Sequence, residues 1–71
     1  MHVESQAFTL RCRLRELREA HKMTQAEVAA YLEVEVAAVS KYELNQRNIP
    51  AIKIAKLLQL FHCTFDVLYE Y

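Results

Sequence analysis

The chain is predicted to fold as an all-α bundle of five short helices, and three observations carry that expectation. Its hydrophobic share is 54% over 71 residues with a single proline, which favours a packed helical body over a loop-rich or disordered chain. Apolar side chains recur at helical spacing through successive stretches. Helix-start residues, Thr24 with Glu27 and Thr64 with Asp66, stand ahead of two of those stretches.

Residues 1–7 carry little periodic signal and are expected to form a flexible tail, leaving 8–71 as the folded domain. From about Phe8 to His21 the spacing predicts a first, long helix with Leu10, Leu14, Leu17 and His21 as its core-facing seam. His21 reads as a partly buried histidine with a local partner, not a ligand. Thr24 then caps a short helix, Glu27 completes a capping box, and Val28, Ala29 and Leu32 form its apolar face. Glu33, Val34 and Glu35 break the pattern, with Val34 available to plug the corner. A second short helix follows from about Val36 to Glu43, with Val39 and Tyr42 at helical spacing. Helices this short are not stable alone, so both need packing from their flanks. Leu44 to Ile49 reads as a loop, and Pro50 suits the first turn of a helix over Ala51 to Phe61. That helix is expected to turn Ile54, Ala55, Leu58 and Phe61 inward, with Ile52 and Leu57 flanking. Thr64 caps a last short helix, Asp66 lies in its first turn, and Phe65, Leu68 and Tyr69 are expected to face the core.

Composition excludes several classes. No run of eighteen apolar residues exists, so no transmembrane helix is expected. The opening MHVESQAF lacks the basic-then-apolar order of a secretory signal, and a cytoplasmic protein is expected. Cys12 and Cys63 stand far apart without paired ligand spacing, so they read as free thiols rather than a disulfide or, with His21 and His62, a metal site. No cofactor is implied. Adjacent His62 and Cys63, with Asp66 nearby, do not face one another as a nucleophile and base must, and no enzyme is expected. Charge balances at zero, but Arg11, Arg15, Arg18 and Lys22 would fall on one stripe of a helix, and Arg47, Lys53 and Lys56 form a second basic stretch. Such a stripe is either a solvated face or a phosphate-binding one.

The stretch TQAEVAAYLEVEVAAVSKYE, residues 24–43, resembles the helix-turn-helix of the lambda-repressor-like, Cro-type transcriptional regulators known as the XRE family. The likeness continues upstream through LRELREAHKMTQ and downstream through RNIPAIKIAKLLQLFHCTFDVL, covering roughly Leu10 to Tyr69. The L-R-x-L-R opening, T-Q-x-E-x-A, S-K-Y-E, R-x-I-P and F-D-x-L occur in the family's order. The resemblance implies a five-helix lambda-repressor-like DNA-binding domain whose second short helix enters the major groove. This chain departs from the family where glycine usually ends a helix: Lys22, Glu33, Asn45 and His62 stand there, and it contains no glycine.

By the resemblance, the DNA-binding set is Thr24, Gln25, Glu35, Val36, Ala37, Ala38, Lys41, Asn45 and Arg47. Gln25 supports contacts to backbone or bases, Glu35, Val36, Ala37, Ala38 and Lys41 face base edges, and Arg47 is the foremost phosphate contact. Arg18 and Glu43 are implied to form a partly buried ion pair, unless they are unrelated surface charges; in a pair, Arg18 leaves the phosphate-binding stripe. The base-facing residues lack forked donors. Val36, Ala37 and Ala38 can touch thymine methyl groups, Glu35 can accept from cytosine N4, and Lys41 is the one cation among them. The expected function is a repressor-type DNA-binding regulator of double-stranded DNA. Phe61, Phe65, Val67, Tyr69 and Tyr71 suggest a homodimer through the C-terminal helices. The alternative is the same scaffold used as a protein-interaction module with weak or no DNA binding.

Overall fold

The computed structural model describes residues 10–70. The tail expected at residues 1–7, the start of the first helix at Phe8, and Tyr71 lie outside them. Five helices, α1 (Leu14–Ala20), α2 (Gln25–Leu32), α3 (Val36–Glu43), α4 (Ala51–Phe61) and α5 (Phe65–Leu68), are joined by a strand pair, β1 (Arg11–Cys12) and β2 (Tyr69–Glu70). No helix among the described residues is long and apolar enough to cross a membrane.

The strand pair corrects the long first helix. Arg11 pairs with Glu70 and Cys12 with Tyr69 in antiparallel register, and the Arg13 N–H donates to the Leu68 carbonyl at 2.7 Å. The sequence Leu10-Arg11-Cys12-Arg13-Leu14 satisfies two periods at once. Leu10 and Leu14 are four apart, as a helix requires, yet every second residue from Leu10 is apolar, as a strand requires. The strand prevails because one-turn α5 leaves the backbone after it without a helical partner, and β1 supplies one. Arg11 and Arg13 then approach Glu70 at 3.5 and 3.4 Å.

Each helix contributes to one core. Leu14, Val28, Leu32, Val39, Leu57 and Leu68 are fully buried, and Tyr42, Ile49 and Phe61 close around them. In α4 the inward face is Ile54, Leu57, Leu58 and Phe61, so Leu57 sits at the centre rather than the flank, and Ala55 is exposed. Phe65 is exposed rather than inward. His21 is exposed too, with Nδ1 2.9 Å from the Leu17 carbonyl and its ring 4.9 Å from that of Phe61.

Thr24 and Glu27 form the reciprocal capping box that opens α2. Thr64 does not cap α5 through its side chain; its hydroxyl donates to Asp66 Oδ1 at 2.5 Å, which holds that carboxyl below its ordinary value. Pro50 stands one residue before α4, its carbonyl accepting from Lys53 and Ile54 N–H.

Lys22, Glu33, Asn45 and His62 all take the left-handed conformation, with φ between 54° and 61°. For the lysine, glutamate and histidine this costs about 1 kcal/mol each relative to glycine. What offsets the cost is the geometry that follows. The next residue's N–H reaches back to a helical carbonyl: Met23 to Arg18, Val34 to Ala29, Gln46 to Lys41, Cys63 to Leu58. Met23, Val34 and Cys63 then press on the core, the apolar contact that accompanies this helix ending. The tight corner at Glu33 therefore forms without glycine, and Lys53 reinforces it by donating to the Leu32 carbonyl at 2.6 Å.

Cys12 and Tyr69 form the seam where the strands meet the bundle. Burial, and next the neighbouring Cys12, push the Tyr69 phenol up from 10.0 to about 12. Burial likewise raises the Cys12 thiol above 9.0. Both groups are favoured in their neutral forms by folding, so their contribution is complete below their unfolded values and lost as pH rises through the folded ones. Stability is expected to decline between about pH 9 and pH 12. In alkaline thermal melts Tyr69→Phe should lose less over that window than the parent; an unchanged decline would remove Tyr69 from the account.

Candidate nucleic-acid interface

α2 and α3 pack across the Glu33 corner, and the rotation of α3 decides what it can offer. Its apolar run Val36-Ala37-Ala38-Val39 contains no internal phase, but the fold imposes one. Ala38, Val39 and Tyr42 turn into the core, while Val36, Ala37 and Lys41 are exposed and Ser40 is half-buried. Ala38, expected at base edges, is 6% exposed and packs with the core, reaching only the floor of the groove beside Lys41. Ser40 and Leu44 take its place on the outward row. They repeat Val36 at intervals of four, a signal readable from the sequence once the phase is known. The ridge runs about 12 Å from Val36 to Leu44. Grooves flank it, one bounded by Val34, Glu35, Ala37, Lys41 and Arg47, the other by Arg15, Arg18, Gln25, Ser40 and Leu44.

Behind the ridge lies a polar knot. Arg18 Nε is 2.6 Å from Glu43 Oε2, and the side chains are only 12% and 4% exposed. Arg18 also donates through Nη2 to Glu43 Oε1 at 3.3 Å and through Nη1 to the Met23 carbonyl at 2.9 Å. The Gln25 amide donates to the same Glu43 oxygen at 2.9 Å. Hydrogen bonding to Glu43 foremost, and its charge, raise the Arg18 guanidinium above its ordinary value. This joins the ends of α1 and α3 to the start of α2.

The remaining polar residues divide into engaged and free. The Thr24 hydroxyl accepts the capping bond from the Glu27 N–H at 3.1 Å. Asn45 turns its amide to the Leu10 carbonyl at 3.2 Å, toward β1 rather than along the ridge. Glu35 precedes α3, exposed and without a side-chain capping bond. The basic stripe expected along one helix is broken up. Arg11 meets Glu16 at 2.6 Å from the strand, Arg15 meets Glu19 at 3.3 Å, Arg18 is in the knot, and Lys22 lies past the helix end. In the second basic stretch Lys53 is spent on the Leu32 carbonyl and Lys56 lies 6.0 Å from the Tyr31 ring. Lys41 and Arg47 remain as exposed cations beside the ridge. Among the described residues no group of histidine, cysteine and carboxylate side chains could hold a metal ion.

The helix-turn-helix family profile matches residues 14–68, from α1 to the end of α5. The comparison with curated proteins gave no significant match. Among solved structures the chain is similar to the restriction-modification controller protein C.AhdI from Aeromonas hydrophila, at 33% identity and a TM-score of 0.66, over 73% of this chain and 79% of that one. A short-cornered α2–α3 pair with an exposed outer ridge, in a lambda-repressor-like body, agrees with both. The chain belongs to the XRE-type helix-turn-helix family and is a DNA-binding transcriptional regulator rather than an enzyme.

Proposed function

We propose that this regulator acts as a repressor-type controller that places α3 in the major groove, with Val36, Ala37 and Lys41 toward base edges and Arg47 on phosphate. The observation that carries the reading is the exposed α3 ridge, backed by the part-buried Arg18–Glu43–Gln25 knot. Likeness to a restriction-modification controller protein supports the controller role. We place a homodimer in the same reading, through the C-terminal region. Phe65 is 45% exposed there and stacks at 5.2 Å on Tyr69, apolar surface that a two-fold partner would cover. A dimer would read two half-sites about one helical turn apart.

Selection from random duplexes at several salt concentrations tests this. The log of the binding constant should fall linearly with the log of salt, by about 0.9 per phosphate neutralised, and the enriched sequence should contain two related half-sites. Arg47→Ala should weaken binding to all sequences alike and lower the salt slope by about 1, while Lys41→Ala should alter the preferred sequence. Absence of both a salt slope and enrichment would favour the protein-interaction use of the scaffold, to which zero net charge and exposed Val36 and Leu44 are also suited.

A further inference from the structure

The α3 ridge is poor in hydrogen-bond donors because of its own side chains, and its neighbours add few. The groups that could be aimed at bases from the start of α2 and the end of α1 are already engaged. Arg18 uses Nε, Nη1 and Nη2 within the knot, and Gln25 donates to Glu43. The ridge itself begins with Val36, 45% exposed, continues through Ala37, and ends with Leu44, 60% exposed. Ser40 and Lys41 are the donors between those ends. The base edges of the major groove carry one apolar feature, the pyrimidine C5-methyl group, which thymine has and cytosine lacks. Cytosine methylated at C5 presents the same group at the same place. A branched aliphatic side chain on a ridge otherwise short of donors is matched to that feature alone.

We propose that α3 reads pyrimidine C5-methyl groups, so that 5-methylcytosine satisfies it as thymine does, and that the regulator distinguishes methylated from unmethylated DNA of one sequence. The inference rests on the DNA-binding reading and adds what the bound helix recognises. Glu35 adds a separate preference, for cytosine over thymine, at the position it faces. Its exposed carboxylate can accept from cytosine N4 but is repelled by guanine O6 and N7 and by thymine O4. Cytosine with a C5-methyl group therefore offers Glu35 and neighbouring Val36 a partner each.

Four versions of the selected duplex test this, differing at one pyrimidine at a time: thymine, uracil, cytosine and 5-methylcytosine. Thymine and uracil differ only by the methyl group, as do 5-methylcytosine and cytosine. At one or more ridge positions, each methylated member should bind about fourfold more tightly than its unmethylated partner, the value of one buried methyl. Val36→Ala, at an exposed site that should not disturb folding, should shrink the difference at one position and leave the salt slope intact. Differences below twofold at all positions, on duplexes that bind with a normal salt slope, would overturn methyl reading alone. Failure to bind any of the four, or a random pool, would overturn the DNA-binding reading and this inference together.

Discussion

Replacing Glu43 by alanine is expected to cost about 3–5 kcal/mol of stability, because it strands Arg18. With its side chain only 12% exposed, the guanidinium loses the partner of two hydrogen bonds and keeps only the Met23 carbonyl. Gln25 loses its anchor at the same stroke. A domain this small holds of order 5 kcal/mol in total, so the variant should be largely unfolded at physiological temperature. Two companions separate the mechanism from a generic loss of packing. Glu43→Gln keeps the shape but removes the charge and one of the two acceptor oxygens, and should fall between parent and alanine. The double variant Arg18→Met with Glu43→Leu removes both charges and should recover most of the loss, since an apolar pair of similar volume often matches a buried ion pair. Urea denaturation of the four proteins decides it. A double variant no more stable than Glu43→Ala would mean that packing, not the stranded charge, governs the site.

The residues explain which parts of this architecture could be read from the sequence. Starts governed by neighbouring residues were legible: Thr24 and Glu27 announce α2, and Pro50 marks the entry to α4. The left-handed endings at Lys22, Glu33, Asn45 and His62 carry no glycine to mark them, and only the family resemblance located them. Features set by distant partners were not. β1 exists because Tyr69–Glu70 lies beside it, and its alternating residues equally fit a helix. The phase of α3 follows from packing against α2, so a run of four apolar residues did not reveal that Ala38 faces inward and that Ser40 and Leu44 complete the ridge. Lys53 looked like one cation of a basic stretch; only the fold brings it to the last carbonyl of α2. The candidate interface was thus identifiable by its segment, whereas the face that α3 exposes was not.

This difference between segment and face gives the second large effect, at Ala37. Ala37→Glu is expected to reduce DNA affinity by about a hundredfold while leaving the fold intact. Ala37 is exposed in the first turn of α3, where a carboxylate is favoured by the helix dipole, so stability should change little. In the groove the same carboxylate meets phosphates and the acceptor edges of guanine and thymine, a like-charge contact that costs several kcal/mol. Ala37→Gln has nearly the same volume without the charge. It should lose no more than about tenfold, with preference moving toward adenine, whose edge an amide can match. Ala55→Glu adds the same charge on exposed α4, away from the ridge, and should reduce affinity only about twofold through the long-range field. Binding titrations at fixed salt rank the three. If Ala37→Glu weakens binding no more than Ala55→Glu does, α3 does not enter the groove, and DNA must meet another face of the domain.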